Sequence, residues 1–290
     1  MFGPNARTLT GQPGNFHHRS ATYRELLTEA VDLFRERFSV PLDSDVLLLT
    51  GSGTLANESV FASSNRSWRV ERADLEFAAR LEMLARAHDV FSPESTHAAW
   101  VGYDTATSFA TPPPPKVGAW MVDMVSAFPY YPALQEAEIW TTVTSKQLGA
   151  LPVMGIVVVS PRGWDLLLDS RGAYSYLNLA RYREQFQQRR ESPHTPAIPL
   201  VADLARVLHL FDAKKLREKI DERRALLVAL LDPEHVVGDG PVLTLRLSAI
   251  PEEVAQRFDL YRTRDGYQVF LWSGTDKEHA SLRSAIGGRP

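Results

Sequence analysis

The run TSKQLGALP, residues 144–152, follows directly on the apolar run Ile139–Val143, and its lysine, Lys146, is the residue from which the chain is read. Upstream, a second apolar run over residues 119–122 ends on Asp123 and continues Met-Val-Ser. As strands, the two runs deliver an amine and a carboxylate to the same edge of a sheet. Open α/β sheets bind their ligands at that edge, outside the carboxyl ends of the strands.

A buried lysine beside an aspartate is the pair that pyridoxal phosphate (PLP) chemistry needs. The amine holds the cofactor as a Schiff base, and the acid keeps the pyridinium nitrogen protonated so that the ring accepts electrons. Taken alone, the same two residues read more simply as a solvated loop lysine and a strand-end cap. Gly51-Ser52-Gly53-Thr54 bears on the choice: it follows the strand-like run Asp45–Thr50 and precedes a segment, 55–63, of helical character. Glycines let backbone N–H groups approach an anion, hydroxyls add donors, and the dipole of the following helix favours negative charge. Many strand-to-helix turns share this pattern, so by itself it selects no function.

Order along the chain makes the set specific. VLLLTGSG (46–53), VDMVS (122–126), TSKQLGALP (144–152) and SPHTPAIP (192–199) occur in that sequence, with Gly3-Pro4 and His18-Arg19-Ser20 ahead of them. This series resembles the class V aminotransferase family of PLP enzymes, from about residue 3 to about residue 245. The resemblance implies an α/β protein of the fold-type-I PLP transferase kind: a three-layer large domain with a mainly parallel sheet, plus a small C-terminal α+β domain. It implies PLP as cofactor, small amine and oxo compounds as substrates, and a homodimer whose subunits share the active site.

Roles carry over residue by residue. Lys146 matches the Schiff-base lysine and Asp123 the partner of the pyridine nitrogen, the two catalytic positions. Val125 matches a residue packed on one face of the ring, and Ser52, Gly53 and Thr54 match the phosphate-binding turn. Ser126 and Thr144 belong to the same two motifs and are counted with the cofactor contacts. Thr195 matches a threonine that reaches the phosphate of the partner subunit's cofactor. Trp68, in Asn65-Arg66-Ser67-Trp68, is the match for the aromatic on the other ring face, at a shorter spacing from the glycine turn than the family has. Thr107, with Ser108, stands where the family has a His-x-Glu-Thr-Ser segment near the ring oxygen; the histidine and glutamate are absent here.

Two departures bear on function. The stretch between Thr54 and Tyr103 is short, with one long helix where the family fits more than one strand–helix unit. The family also carries a late arginine that clamps the substrate carboxylate in a bidentate geometry lysine cannot reproduce. Here that region reads Phe270-Leu271-Trp272-Ser273-Gly274. His18, Arg19 and Arg246 are the candidate substrate contacts, with Arg283 a further arginine in reach; none of the three arginines matches by motif. Ordinary transamination of a free amino acid is therefore open to question, and decarboxylation, elimination or isomerisation on a bulky amine is the alternative. A PLP fold serving only in binding is a second one, against which the retained Lys146–Asp123 pair argues.

Composition bounds the rest. The chain has 290 residues, 44% hydrophobic and 23% charged, which suits a globular protein with a substantial core. A formal net charge of −3 leaves no global footprint for nucleic acid or acidic membranes. No apolar run approaches a membrane span and no charged-then-apolar segment opens the chain, so a cytoplasmic protein without membrane contact is expected. The chain has no cysteine. That excludes disulfides, thiolate metal sites and the cysteine-desulfurase branch of the superfamily, whose chemistry needs an enzyme cysteine. His17-His18 is a loop pair with no carboxylate cluster beside it, and no metal site is expected.

Hydrophobic periodicity places helices over 23–37, 72–88, 197–211 and 213–231 and strands at Asp45–Thr50, 98–103, 119–122, Ile139–Val143 and 155–159. Residues 171–191 read as a polar insert, and 241–271 as strand, helix, strand. The expected organisation is an arm over 1–22, a PLP-binding large domain over 23–205 and a small domain over 206–290. Arg217, Lys219, Arg223 and Arg224, interleaved with Glu218, Asp221 and Glu222, read as a solvated helix face.

Overall fold

The computed structural model describes residues 17–168 and 175–287. Gly3-Pro4 and the first part of the 171–191 insert lie outside them. The elements, in chain order, are α1 (Ala21–Phe38), β1 (Asp45–Thr50), α2 (Gly53–Ala62), β2 (Arg69–Val70), α3 (Glu76–Ala87), β3 (Ala98–Val101), β4 (Tyr103–Asp104), β5 (Phe109–Ala110), β6 (Trp120–Asp123), β7 (Ile139–Val143) and β8 (Met154–Val159). They continue with α4 (Pro161–Trp164), α5 (Leu179–Arg189), α6 (Ile198–Leu210), α7 (Ala213–Val228), β9 (Val236–Val237), β10 (Val242–Arg246), α8 (Glu252–Arg257), β11 (Tyr261–Arg262), β12 (Gly266–Phe270) and α9 (Asp276–Gly287).

Six strands form the main sheet in the order β1-β8-β7-β6-β3-β2. The neighbours from β7 to β2 pair in parallel, while β8 runs antiparallel to both β7 and β1. Since β8 opposes both, β1 runs the same way as β7, and five of the six strands end at one edge. Successive side chains of a strand point to opposite faces, and β1 shows what this does. Val46 and Leu48 enter one core with Tyr23, Leu27 and Phe34 of α1 and Val201 and Leu204 of α6. Leu47 and Leu49 enter another with Val60 and Phe61 of α2, Leu81 of α3 and Tyr182 of α5. Helix, sheet, helix is the three-layer arrangement expected of the motifs. Strands this apolar on both faces are what a sheet covered on both sides selects.

The second sheet, β11-β12-β10-β9, is antiparallel throughout. One face is covered through Ile220 and Leu227 of α7, Ala255 of α8 and Leu282 and Ile286 of α9. The β4–β5 hairpin joins it to the main sheet. The Tyr103 hydroxyl donates to the Val242 carbonyl at 3.0 Å, Ser108 Oγ lies 2.9 Å from Thr244 Oγ1, and the Gln268 amide donates to the Thr105 carbonyl.

Four local expectations change. Residues 98–103 are not one strand: the ladder closes at Gly102, whose N–H donates to the Asp123 carbonyl, and Tyr103 turns away to meet β10. Helix α3 starts at Glu76 and not at residue 72, because Arg72 takes a left-handed φ of 54° and Leu75 is extended. The polar insert contains α5, capped by the Asn178 side chain, with Tyr182 and Phe186 buried one turn apart. Arg223 leaves the solvated face of α7. Only 4% exposed, it donates to the carbonyls of Leu271, Ser273 and Gly274 and pairs with Asp276 at 2.6 Å. Among the described residues no helix is long and apolar enough to cross a membrane.

Candidate active site

The parallel register sets Val101 beside Asp123 and Asp123 beside Thr141, so β3, β6 and β7 finish side by side. Past the end of β7 the 144–152 loop closes on itself. Thr144 Oγ1 donates to the Leu151 carbonyl at 2.7 Å, and the Ala150 N–H donates to the Thr144 carbonyl at 3.0 Å. Within that loop Lys146 adopts a left-handed φ of 55°, a conformation that strains a residue with a Cβ and persists only where the surroundings enforce it. Gln147 supplies part of the enforcement: its amide donates to the Ser126 carbonyl at 2.6 Å and its oxygen accepts from the Tyr130 N–H at 2.9 Å. Lys146 is thereby turned inward, its Nζ donating to Ser126 Oγ at 2.6 Å. Burial holds its ammonium below the ordinary lysine range; the Asp123 charge opposes that shift and the Arg80 charge adds to it.

Asp123 closes β6 and is 7% exposed. One carboxylate oxygen accepts from the Val125 N–H at 2.8 Å, the other from the Asn57 amide at 2.7 Å. Thr141 on the neighbouring strand donates to the Asn57 oxygen, so the amide is held from both ends. Burial raises the carboxyl above its usual range; both hydrogen bonds, then Lys146 and Arg80, pull the other way without cancelling it. A cation brought to the open side of this carboxyl restores its charge.

Helix α2 starts on the same edge. Ser52 is its N-cap, accepting from the Leu55 N–H at 3.3 Å, and no acidic residue stands in its first turn. Gly53 is required here by close approach: a Cβ on it would lie 2.6 Å from a Val125 methyl. Helix α3 forms the facing wall with Phe77, Arg80, Leu81 and Leu84, one helical face. Lys146 Nζ is 6.0 Å from the Phe77 ring centroid. The cleft, of about 320 Å³, is lined by Ser52, Gly53, Thr54, Asp123, Val125, Ser126 and Lys146 among others, and lies at the low end of ligand-pocket volumes.

Thus seven of the sequence-predicted residues meet in one cleft. The others lie elsewhere. Trp68 is fully buried in the core, donating to Ser64 Oγ at 2.7 Å, because its backbone is extended beside Val90 and leads into β2. Thr107 closes its own hairpin turn on the Asp104 carbonyl, and Thr144 is spent on its loop. Thr195 is exposed ahead of α6. Arg19 lines a separate groove with Arg24 and Arg190, and the loop residue His18 precedes it. Arg246 is exposed at the end of β10. Asn57, Phe77, Arg80 and Ser145 line the cleft without having been singled out for it. A signal existed for three of them. Asn57 stands one turn into the helix that the glycine turn opens, and Phe77 and Arg80 are three apart near the start of α3.

No protein-family profile matches the chain. An uncharacterized aminotransferase of Methanocaldococcus jannaschii is 22% identical over 249 residues, 73% of this chain and 64% of that protein, so the match spans less than two thirds of the relative. Solved structures agree over nearly the whole chain. An aspartate aminotransferase of subgroup IV from Thermus thermophilus superposes with a TM-score of 0.77 at 21% identity, covering 95% of this chain and 92% of that one. The alanine–glyoxylate aminotransferase of Nostoc sp. gives 0.78 at 17% identity, covering 94% and 88%. The pyridoxamine–pyruvate aminotransferase of Mesorhizobium loti gives 0.77 at 15% identity, covering 94% and 85%. The chain has the aminotransferase fold of these proteins, as its ordered motifs implied.

Proposed function

We propose that the chain is a PLP-dependent enzyme of the aminotransferase type, moving an amino group from an amino donor to an oxo acceptor. One observation carries this: a partly buried amine of lowered pKa, Lys146, faces the same cleft as a buried carboxyl, Asp123, at and just past the ends of adjacent parallel strands. The residues present fit the cofactor. Lys146 Nζ would hold its aldehyde carbon, Asp123 its ring nitrogen, and the α2 N-terminus with Ser52 and Thr54 its phosphate. Gly53 keeps that cradle clear of side chain, and Val125 and Phe77 supply apolar walls for a flat ring. Bound there, PLP supplies a carbon that accepts the substrate amine and a ring that withdraws electrons.

The protein's part is proton handling and orientation of the reacting groups. An amine held below its ordinary pKa is neutral over more of the pH range, and so serves both as nucleophile and as the base for the substrate Cα proton. Ser126 Oγ, in contact with Nζ, fixes its direction. Asn57 and the Val125 N–H hold both Asp123 oxygens, so that the carboxylate meets the ring nitrogen in one orientation. We extend the proposal to a homodimer with a shared site, on the support of Thr195, exposed and outside its own cleft.

The test is a visible absorption spectrum of the purified protein, then a panel of amine donors. A visible band that donors convert to the pyridoxamine form, and oxo acceptors restore, is expected. Asp123→Asn should keep the band and lose most of the turnover, since an amide cannot stabilise the protonated ring. A colourless protein that stays so with added PLP contradicts the proposal.

A further inference from the structure

We infer that Arg80, on α3, holds the carboxylate of the substrate, which makes the substrate an amino acid and not a simple amine. The inference rests on the PLP proposal and deepens it. The cleft needs a cation for such a group, and Lys146, committed to the exchanged amine, is unsuited to it. Among the described residues lining the cleft, Arg80 is the other cation.

Its placement supports the role. The Arg80 guanidinium carbon lies 5.0 Å from the centroid of the Phe77 ring, and Lys146 Nζ lies 6.0 Å from the same centroid. Both cations therefore lie within 6.0 Å of one ring centroid, and an aromatic face aligns a planar guanidinium while leaving its edge free to bind. The one carboxylate paired with Arg80, Glu76, is 3.6 Å away on the exposed side of α3, a loose contact that a bidentate carboxylate can displace. The field of Arg80 reaches both reacting groups, acting on Asp123 and on Lys146. An amino acid's carboxylate is attached two bonds from its amine, so a group that binds it must stand close to Lys146.

The other arginines considered for this role, Arg283 on α9 among them, do not line the cleft. Arg19 and Arg246 lie outside the cleft. Arg223, which reaches the Leu271–Gly274 segment, has its guanidinium engaged by three carbonyls and Asp276. The cofactor phosphate is provided for by the α2 N-terminus and the Ser52 and Thr54 hydroxyls, so it leaves Arg80 available.

Two reagents that consume an enzyme-held aldehyde separate the possibilities: aminooxyacetate carries a carboxylate, and methoxyamine is its neutral counterpart. The rate at which each bleaches the visible band is measured in the wild type and in Arg80→Gln, with Arg80→Lys as the monodentate intermediate. Side-chain exposure of 48% makes these substitutions mild for the fold. Arg80→Gln should slow aminooxyacetate by roughly 10- to 100-fold more than it slows methoxyamine, the size expected for a lost charge-assisted contact. Arg80→Lys should fall between. Equal effects on both reagents, or on neither, overturn the inference. So does a variant that fails to keep PLP while the wild type keeps it, which would give Arg80 to the cofactor. A wild type with no visible band rejects the cofactor proposal itself and the inference with it.

Discussion

An amine that must react near neutrality cannot keep the pKa that lysine has in water. Burial lowers Lys146, and the sign of the consequence follows. Between the lowered value and the ordinary 10.5 the unfolded chain binds more protons at this site than the folded one, so this group makes the cofactor-free fold more stable as pH rises through that window. In the same window the folded chain presents a neutral nucleophile. The rate of covalent PLP attachment should therefore rise with pH and level off with a midpoint below 10.5, read by stopped-flow absorbance; a midpoint at or above that value means Nζ is solvated. Lys146 and Asp123 were legible in the sequence as a sheet-edge pair, because each directly follows an apolar run and a strand end fixes where its next residues go. The facing wall was not. Phe77 and Arg80 come from a helix whose rotation against the sheet is set by packing of Ala78 and Leu81, and Trp68, the aromatic matched in spite of its short spacing, is taken up by that packing.

At the scale of elements, the site depends on how closely α2 can approach the strand ends. The Gly53–Val125 contact is the tightest point: an added Cβ would sit 2.6 Å from one valine methyl and 2.9 Å from the other. Gly53→Ala should destabilise the fold by about 1–3 kcal/mol, as overpacking does, and lower PLP occupancy with it. Adding Val125→Ala removes both methyls and should recover most of the loss; denaturant melts of the single and double variants measure this. A Gly53→Ala protein as stable as the wild type would mean that α2 is free to shift. The strands β1 and β7 keep the bounds that their apolar runs suggested, since a strand buried on both faces is continuous in sequence. Helices were less exact where polar residues make them. The α5 segment LARYREQFQQR buries only Leu179, Tyr182 and Phe186, too few apolar positions to stand out from a loop.

At the scale of the molecule, two sheets are joined through a hairpin and the candidate cleft opens on the edge of the larger one. The 54–103 region, with only the two-residue β2 and α3 between α2 and β3, leaves that edge lightly walled. A second subunit would complete it, and Thr195 is exposed to serve one. The proposed homodimer should then dissociate together with its cofactor, because what binds only the dimer stabilises it by mass action. Sedimentation at low protein concentration should show PLP lost with the dimer; a monomer of full occupancy and activity would contradict the shared site. Of the small sheet, β10, α8 and β12 were legible as strand, helix, strand, while the two-residue β9 and β11 were not. The inward turn of Arg223 was not, because a basic residue among acidic ones on a helix reads as solvated until its carbonyl partners, some fifty residues on, are in place. The central claim is that Lys146 is the residue that carries the cofactor. Borohydride reduction of the PLP-loaded protein, followed by peptide mass mapping, tests it most directly. The modified peptide should contain Lys146, and Lys146→Ala should yield none. A pyridoxyl group on another lysine, or an unchanged adduct in Lys146→Ala, would contradict the account.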